Sequence, residues 1–100
     1  KVKADEAFLK TELNRLKTKF DIIGDVRGIG ILWGVELVLN RLTKEKAVEA
    51  AEKVMYNCLR EGLSFKVSSG NVLQLSPPLT ITREELLKAI HILENSISNL

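Results

Sequence analysis

The segment Val72–Thr82, with the sequence VLQLSPPLTIT, contains a short alternating strand, two prolines and the start of a helix. Successive strand residues point to opposite faces, so Gln74 lies on the face opposite Leu73 and Leu75. The prolines end the strand and stiffen the chain that leaves it. Thr82 and Glu85 have the spacing of a capping box. The segment therefore predicts a rigid backbone that holds Gln74 at a sheet edge.

Apolar periodicity predicts three helices, over residues 1–20, 43–62 and 82–100. Thr43 is the predicted cap of the second helix, and Gly62 its predicted stop. Each helix has a stripe of residues expected to face inward: Leu9, Leu13, Leu16 and Phe20 in the first; Ala47, Ala50, Ala51, Val54, Met55, Cys58 and Leu59 in the second; Leu86, Ala89, Ile90, Leu93 and Ile97 in the third.

Four extended segments lie between these helices. They are a run from Asp21 that turns around residues 28–30, a strand over residues 31–39, and two short strands over residues 64–67 and 72–75. The order is α-β-β-α-β-β-α, which predicts an α+β fold of two layers. We expect a small, mostly antiparallel sheet with the helices on one face. The other face is expected to be open, or covered by something outside this chain.

Composition excludes several classes of function. The chain has 100 residues and a formal net charge of +2, and no Lys/Arg cluster is interleaved with exposed aromatic residues, so no nucleic-acid partner is expected. No apolar run approaches the roughly 20 residues of a membrane span. Cys58 is the only cysteine, so no internal disulfide can form. A reducing, cytoplasmic location is expected, and the absence of an initiator Met predicts a piece of a longer protein.

Residues that carry chemistry are sparse. Gly28 and Gly30 lead into a strand and not into a helix, which argues against a phosphate-binding dinucleotide loop. His91 is the only histidine and has no second ligand at metal-binding spacing. Asp21 and Asp25 resemble turn residues. The lysines are expected to face solvent, so the chain itself holds no complete catalytic set.

Two motifs resemble those of the class III aminotransferases, which depend on pyridoxal phosphate (PLP). The segment Val26–Leu37, VRGIGILWGVEL, is similar to the family pattern VRG-x-G-x-x-x-G-x-E, and Val72–Thr82 is similar to x-R-x-x-PPL-x-I. The stretch that ends in Glu61-Gly62-Leu63 resembles the family's L-x-E-x-G-L. The resemblance extends over residues 5–98, and its motifs occur in the family's order.

This resemblance implies that residues 1–100 are the C-terminal small domain of a larger enzyme. The catalytic lysine and most PLP contacts would then belong to a large domain outside this chain, which would be a partner within a homodimer. The implied reaction moves an amino group between an amino acid or amine and an oxo acid. Relatives racemise, decarboxylate or eliminate, so a PLP racemase or decarboxylase stays open. A stand-alone α+β interaction or ligand-binding module is the alternative from another class.

Gln74 departs from the family pattern. Many members carry an arginine at this position, which clamps the substrate carboxylate through a charged, bidentate fork; glutamine offers only a neutral amide. Gln74 is the predicted substrate-binding residue, and the departure predicts either that the substrate carboxylate is bound elsewhere or that the substrate is an amine or otherwise unusual. Arg27 is a conceivable substitute cation, but a salt bridge at the turn before the strand is the favoured interpretation.

Overall fold

The computed structural model describes all of residues 1–100 and contains three helices and four strands. Their order confirms the predicted α-β-β-α-β-β-α sequence of elements. The elements are α1 (Val2–Lys19), β1 (Ile23–Ile29), β2 (Leu32–Leu37), α2 (Val48–Arg60), β3 (Lys66–Ser68), β4 (Val72–Leu75) and α3 (Arg83–Ser98).

The four strands form one antiparallel sheet in the order β1-β2-β4-β3. β4 is thus an inner strand that pairs with β2 on one side and β3 on the other. The expectation that Gln74 lies at a sheet edge was wrong. Pro77 and Pro78 come after the strand has ended, so every amide of β4 remains free to pair.

One face of the sheet carries the hydrophobic core. Alternate residues of β2 and β4 point toward the helices and are almost fully buried, namely Trp33, Val35, Leu37 and Leu73. The predicted inward stripes of the helices meet them there, with Leu13, Leu16, Ala51, Val54, Cys58, Leu86, Ile90 and Leu93 all buried. Helices cover this face alone, which confirms the predicted α+β arrangement in two layers. Leu59 was assigned to the core stripe, but it is exposed.

The start of α3 is where the sequence places it. The Thr82 hydroxyl accepts a hydrogen bond from the Glu85 amide at 3.1 Å, and the Glu85 carboxylate accepts one from the Thr82 amide at 2.9 Å. This capping box satisfies two of the backbone donors at the helix start, the amides of Thr82 and Glu85. The chain direction after the two prolines is therefore fixed.

The start of α2 differs from the prediction. The helix begins at Val48, with Ala47 as its N-cap, and not at Thr43. The Thr43 hydroxyl instead accepts from the Glu45 amide within the connecting turn. Lys46 forms an isolated antiparallel bridge with Val38 just beyond β2. Residues 43–46 are therefore held beside the sheet, which delays the helix.

An ionic cluster joins α1 to α3. Glu94 accepts hydrogen bonds from Arg15 at 2.9 Å and from Lys19 at 2.7 Å. Hydrogen bonds from these two cations lower the pKa of the Glu94 carboxyl to about 2. The contact connects two helices that are far apart in sequence. None of the three helices is long and apolar enough to cross a membrane.

Candidate functional site

The face of the sheet that the helices leave uncovered, here called the open face, has a row of four residues across all strands. Arg27 of β1 is the partner of Gly34 in β2, Gly34 is the partner of Gln74 in β4, and Gln74 is the partner of Lys66 in β3. Cross-strand partners point to the same face of a sheet. The register therefore brings three polar side chains into line with one glycine between them.

A depression of about 390 Å³, here called the trough, lies on the open face above Gly34. A Cβ added at Gly34 would make a tight contact of 3.3 Å with Cγ1 of Val72, so the lack of a side chain at this position helps to keep the trough open. Polar residues along the trough are Arg27, Ser68, Ser69, Gln74 and Ser76. The glycine thus makes room for a small molecule between Arg27 and Gln74.

Gln74 is exposed at the trough, and its side-chain amide makes no hydrogen bond to the rest of the chain. An unpaired amide offers two N–H donors and one carbonyl acceptor to a ligand. The structure thus leaves the predicted substrate-binding residue available, on the predicted side of β4.

Arg27 is already engaged by carboxylates. Its guanidinium donates to Asp25 and to Glu36, both at 3.0 Å. The hydrogen bonds that Arg27 donates, to Glu36 first and then to Asp25, raise the pKa of Arg27 above its usual value. This confirms the interpretation of Arg27 as a salt-bridge residue, although Arg27 lies within β1 and not at a turn before the strand. Asp25 was expected in a turn, but it lies within β1.

The hairpin between β1 and β2 is fastened by Trp33. A Cβ at Gly28 would lie 2.3 Å from the Trp33 ring, so only glycine lets the ring cover the strand. The Trp33 indole N–H donates to the Gly30 carbonyl at 2.8 Å, and the Gly30 amide donates to the Glu6 carboxylate at 2.6 Å. The glycines at 28 and 30 therefore serve packing and the turn, as expected.

Asn71 fixes the other end of the trough, and the sequence interpretation missed its role. It is buried; its side-chain amide donates to the Leu37 carbonyl at 2.9 Å, and its backbone carbonyl accepts from the Leu37 amide at 2.8 Å. These contacts tie the β3–β4 turn to the end of β2. Ser68 and Ser69 are thereby held against the trough. An Asn beside Gly70 in a turn is the only signal that the sequence offers.

The remaining reactive residues lie away from the trough. Cys58 is buried, its thiol contacts the Ser96 hydroxyl at 3.3 Å, and burial raises the pKa of that thiol. This fits the predicted core position. His91 is exposed on α3. No three His, Cys, Asp or Glu residues are grouped so that they could hold a metal ion.

A second concavity, of about 180 Å³, lies on the helix side between α1, α3 and the proline segment. Its lining is mostly apolar and includes Leu9, Pro77, Ile81 and Leu86, without any charged side chain. It lacks the convergent polar groups that orient a ligand. The trough is therefore the better candidate site.

Comparison with known proteins identifies the family. The family model described as aminotransferase class-III matches residues 1–97. The chain belongs to the class III aminotransferase family. The match confirms the family that the two sequence motifs implied.

Relatives in this family carry out different reactions. The chain is 56% identical over 98 residues to the (R)-1-hydroxy-2-aminoethylphosphonate ammonia-lyase of Vibrio splendidus, a match that covers 98% of this chain and 20% of that protein. It is 40% identical to the leucine/methionine racemase of Thermococcus litoralis, over 93% of this chain and 21% of the relative.

Solved structures share the fold. An amine transaminase from an uncultivated Pseudomonas species, in its PLP-bound form, is similar with a TM-score of 0.86 at 28% identity. The match covers 96% of this chain and 22% of that one. The chain thus spans about a fifth of the length of the proteins that it matches.

The residues of this chain do not fit a PLP site of their own. A lysine that forms a Schiff base is desolvated or lies beside another cation. None of the lysines here is buried, and the trough has no lysine in its lining. The Arg27 guanidinium, the cation nearest to Gln74 across β2, is paired with two carboxylates. The open face can bind and orient a small polar molecule, but it offers no desolvated lysine that could form the Schiff base with the cofactor.

Proposed function

We propose that this chain is the small domain of a larger PLP-dependent enzyme, and that its open face forms one wall of the substrate cleft. Gln74 is the residue that contacts the substrate. A large domain outside these 100 residues would hold the cofactor, and the whole enzyme would be a homodimer in the cytoplasm. Exposed Ile29 and Leu32, which are partners at one end of the open face, support the proposal that another part of the protein covers this face.

The unpaired side-chain amide of Gln74 is the observation that supports the substrate proposal. Its free amide lies where the family resemblance places an arginine that binds a carboxylate, and Arg27, the one cation among the residues that line the trough, is neutralised by Asp25 and Glu36. A neutral amide binds an anion less strongly than a guanidinium, because charge-assisted hydrogen bonds are roughly twice as strong. An α-amino acid would therefore be held weakly here. The proposed substrate is an amine without an α-carboxylate.

The proposed reaction is ammonia elimination from a 2-amino-1-hydroxyalkylphosphonate. The 56% identity with the ammonia-lyase supports this choice, since it exceeds the identity with the racemase by a wide margin. The substrate in that enzyme's name is an amine whose neighbouring carbon bears a hydroxyl and a phosphonate. Such a molecule has no α-carboxylate, in agreement with Gln74. PLP, bound by the large domain, would supply the activation of the amine-bearing carbon.

In this reaction the residues of this chain bind and orient the substrate and shield it from water. The Gln74 amide donates to an oxygen of the substrate, and Gly34 leaves the space in which that substrate lies. The sheet, closed over the cleft, excludes water from the reacting carbon.

Amino-group transfer to an oxo acid is the second candidate. The class III family model and the similarity to an amine transaminase favour it. An amine substrate without a carboxylate suits this reaction as well, so Gln74 alone does not separate the two candidates.

The experiment that separates them uses the full-length enzyme with 1-hydroxy-2-aminoethylphosphonate, with and without a 2-oxo acid. Elimination releases free ammonia whether or not the oxo acid is present. Transfer instead requires the oxo acid, converts it into an amino acid and releases no ammonia. If the enzyme forms neither ammonia nor an amino acid at saturating substrate, both candidates are wrong.

A further inference from the structure

The two basic residues in the row across the open face differ in their surroundings. Arg27 donates to two carboxylates, whereas Lys66 has no carboxylate within 4 Å and makes no side-chain hydrogen bond. The Lys66 ammonium is therefore a free positive charge. It belongs to β3, the strand at the edge of the sheet beside Gln74.

Lys66 and Gln74 are direct cross-strand partners. Neighbouring strands are about 4.8 Å apart, and partners on one face have their Cβ atoms about 5 Å apart. The flexible four-carbon stem of lysine lets its ammonium reach the groups that the Gln74 amide reaches. The positive charge that position 74 lacks is thus present one strand away.

The same side of the trough is rich in hydrogen-bond donors. The Ser68 and Ser69 hydroxyls line it, and the Lys46 ammonium donates to the Ser69 carbonyl at 3.0 Å. No carboxylate lines the trough; Asp25 and Glu36 lie on the far side with Arg27. The β3 side of the trough thus offers neutral donors and no carboxylate, and Lys66 lies beside it on β3.

We propose that Lys66 and Gln74 together bind the phosphonate of the substrate, with Lys66 supplying the charge and Gln74 and Ser68 supplying further donors. This inference rests on the proposed function and adds the residue that selects a doubly charged anion. A tetrahedral phosphonate has three oxygens, which a mobile ammonium and neutral donors can contact from different directions. A planar carboxylate suits the arginine fork that this chain lacks.

The test measures ligand binding by the full-length holoenzyme, with ethylphosphonate and propionate as probes that carry no amine. Lys66→Met should weaken calorimetric binding of ethylphosphonate by about ten-fold, the factor expected for loss of a hydrogen bond to a charged group. Binding of propionate should change less. Lys66→Arg should keep most of the affinity, because the charge is retained. Lys88→Met, on the exposed side of α3, is the matched control and should bind as wild type does.

Unchanged ethylphosphonate binding by Lys66→Met would overturn the inference, and so would an equal loss for both probes, which would indicate a site for any anion. The proposed reaction has its own readout in ammonia release. If no ammonia is released but Lys66→Met still weakens binding of ethylphosphonate more than binding of propionate, then the proposed reaction is wrong and the proposed anion site is supported.

Discussion

Leu73 and Gln74 are adjacent in β4 and face opposite ways. Leu73 is completely buried against the helices, whereas Gln74 is exposed on the open face with no partner for its amide. The core face contains almost only apolar groups, and the open face contains ion pairs, hydroxyls and a glycine. A single short strand thus serves two purposes: its core residues hold the fold together, and its open-face residues remain available to a ligand.

The largest expected effect is on the core face. Leu73→Ala should lower the free energy of unfolding by about 2–5 kcal/mol, because it removes apolar contacts and leaves a cavity. Gln74→Ala, one residue away, should change it by less than about 0.5 kcal/mol. Urea denaturation of both variants measures the difference. Similar losses in the two would contradict the division between the faces.

A second comparison makes one substitution on each face. A Cβ at Gly28 would lie 2.3 Å from the Trp33 ring and 2.5 Å from the Leu32 carbonyl oxygen, so Gly28→Ala should destabilise by about 3 kcal/mol through overpacking. A Cβ at Gly34 would lie 3.3 Å from Cγ1 of Val72 and 3.8 Å from the Arg27 carbonyl oxygen, so Gly34→Ala should destabilise less than Gly28→Ala, because only the Val72 side chain has to shift. Thermal unfolding measures both, and an equal or larger loss for Gly34→Ala would contradict the difference in space between the two glycines.

The third effect is smaller and depends on pH. The pKa of Glu94 in the folded chain is about 2, below its ordinary value of 4.5, so its ionised form stabilises the folded state above pH 4.5. Glu94→Gln should lower the free energy of unfolding by about 1 kcal/mol at pH 7. The gap to wild type should close as the pH falls from 4.5 toward 2. Urea denaturation across this range measures the gap, and a constant gap would show that the charge on Glu94 does not matter.

Local signals predicted the helix at residue 82 and the face on which Gln74 lies. The capping box of Thr82 and Glu85 is complete within four residues, and alternation alone places Leu73 and Gln74 on opposite faces. Both features depend on neighbours in the sequence, so no tertiary information was required.

Features that depend on strand pairing could not be predicted from the sequence. The inner position of β4 and the partnership of Gln74 with Lys66 arise from the order β1-β2-β4-β3, which periodicity does not encode. The late start of α2 follows from the bridge between Lys46 and Val38, a contact outside the helix. The role of Asn71 depends on Leu37, 34 residues away.

The most direct test of the open face as a substrate wall is Gln74→Arg in the full-length enzyme. L-Alanine and 2-aminopropane, which differ by a carboxylate in place of a methyl group, serve as competitive inhibitors. We expect the variant to improve the inhibition constant of L-alanine relative to 2-aminopropane by about ten-fold, since the new guanidinium forms charged hydrogen bonds with the carboxylate. An unchanged ratio, with both compounds still bound, would show that position 74 does not touch the substrate and would contradict the account.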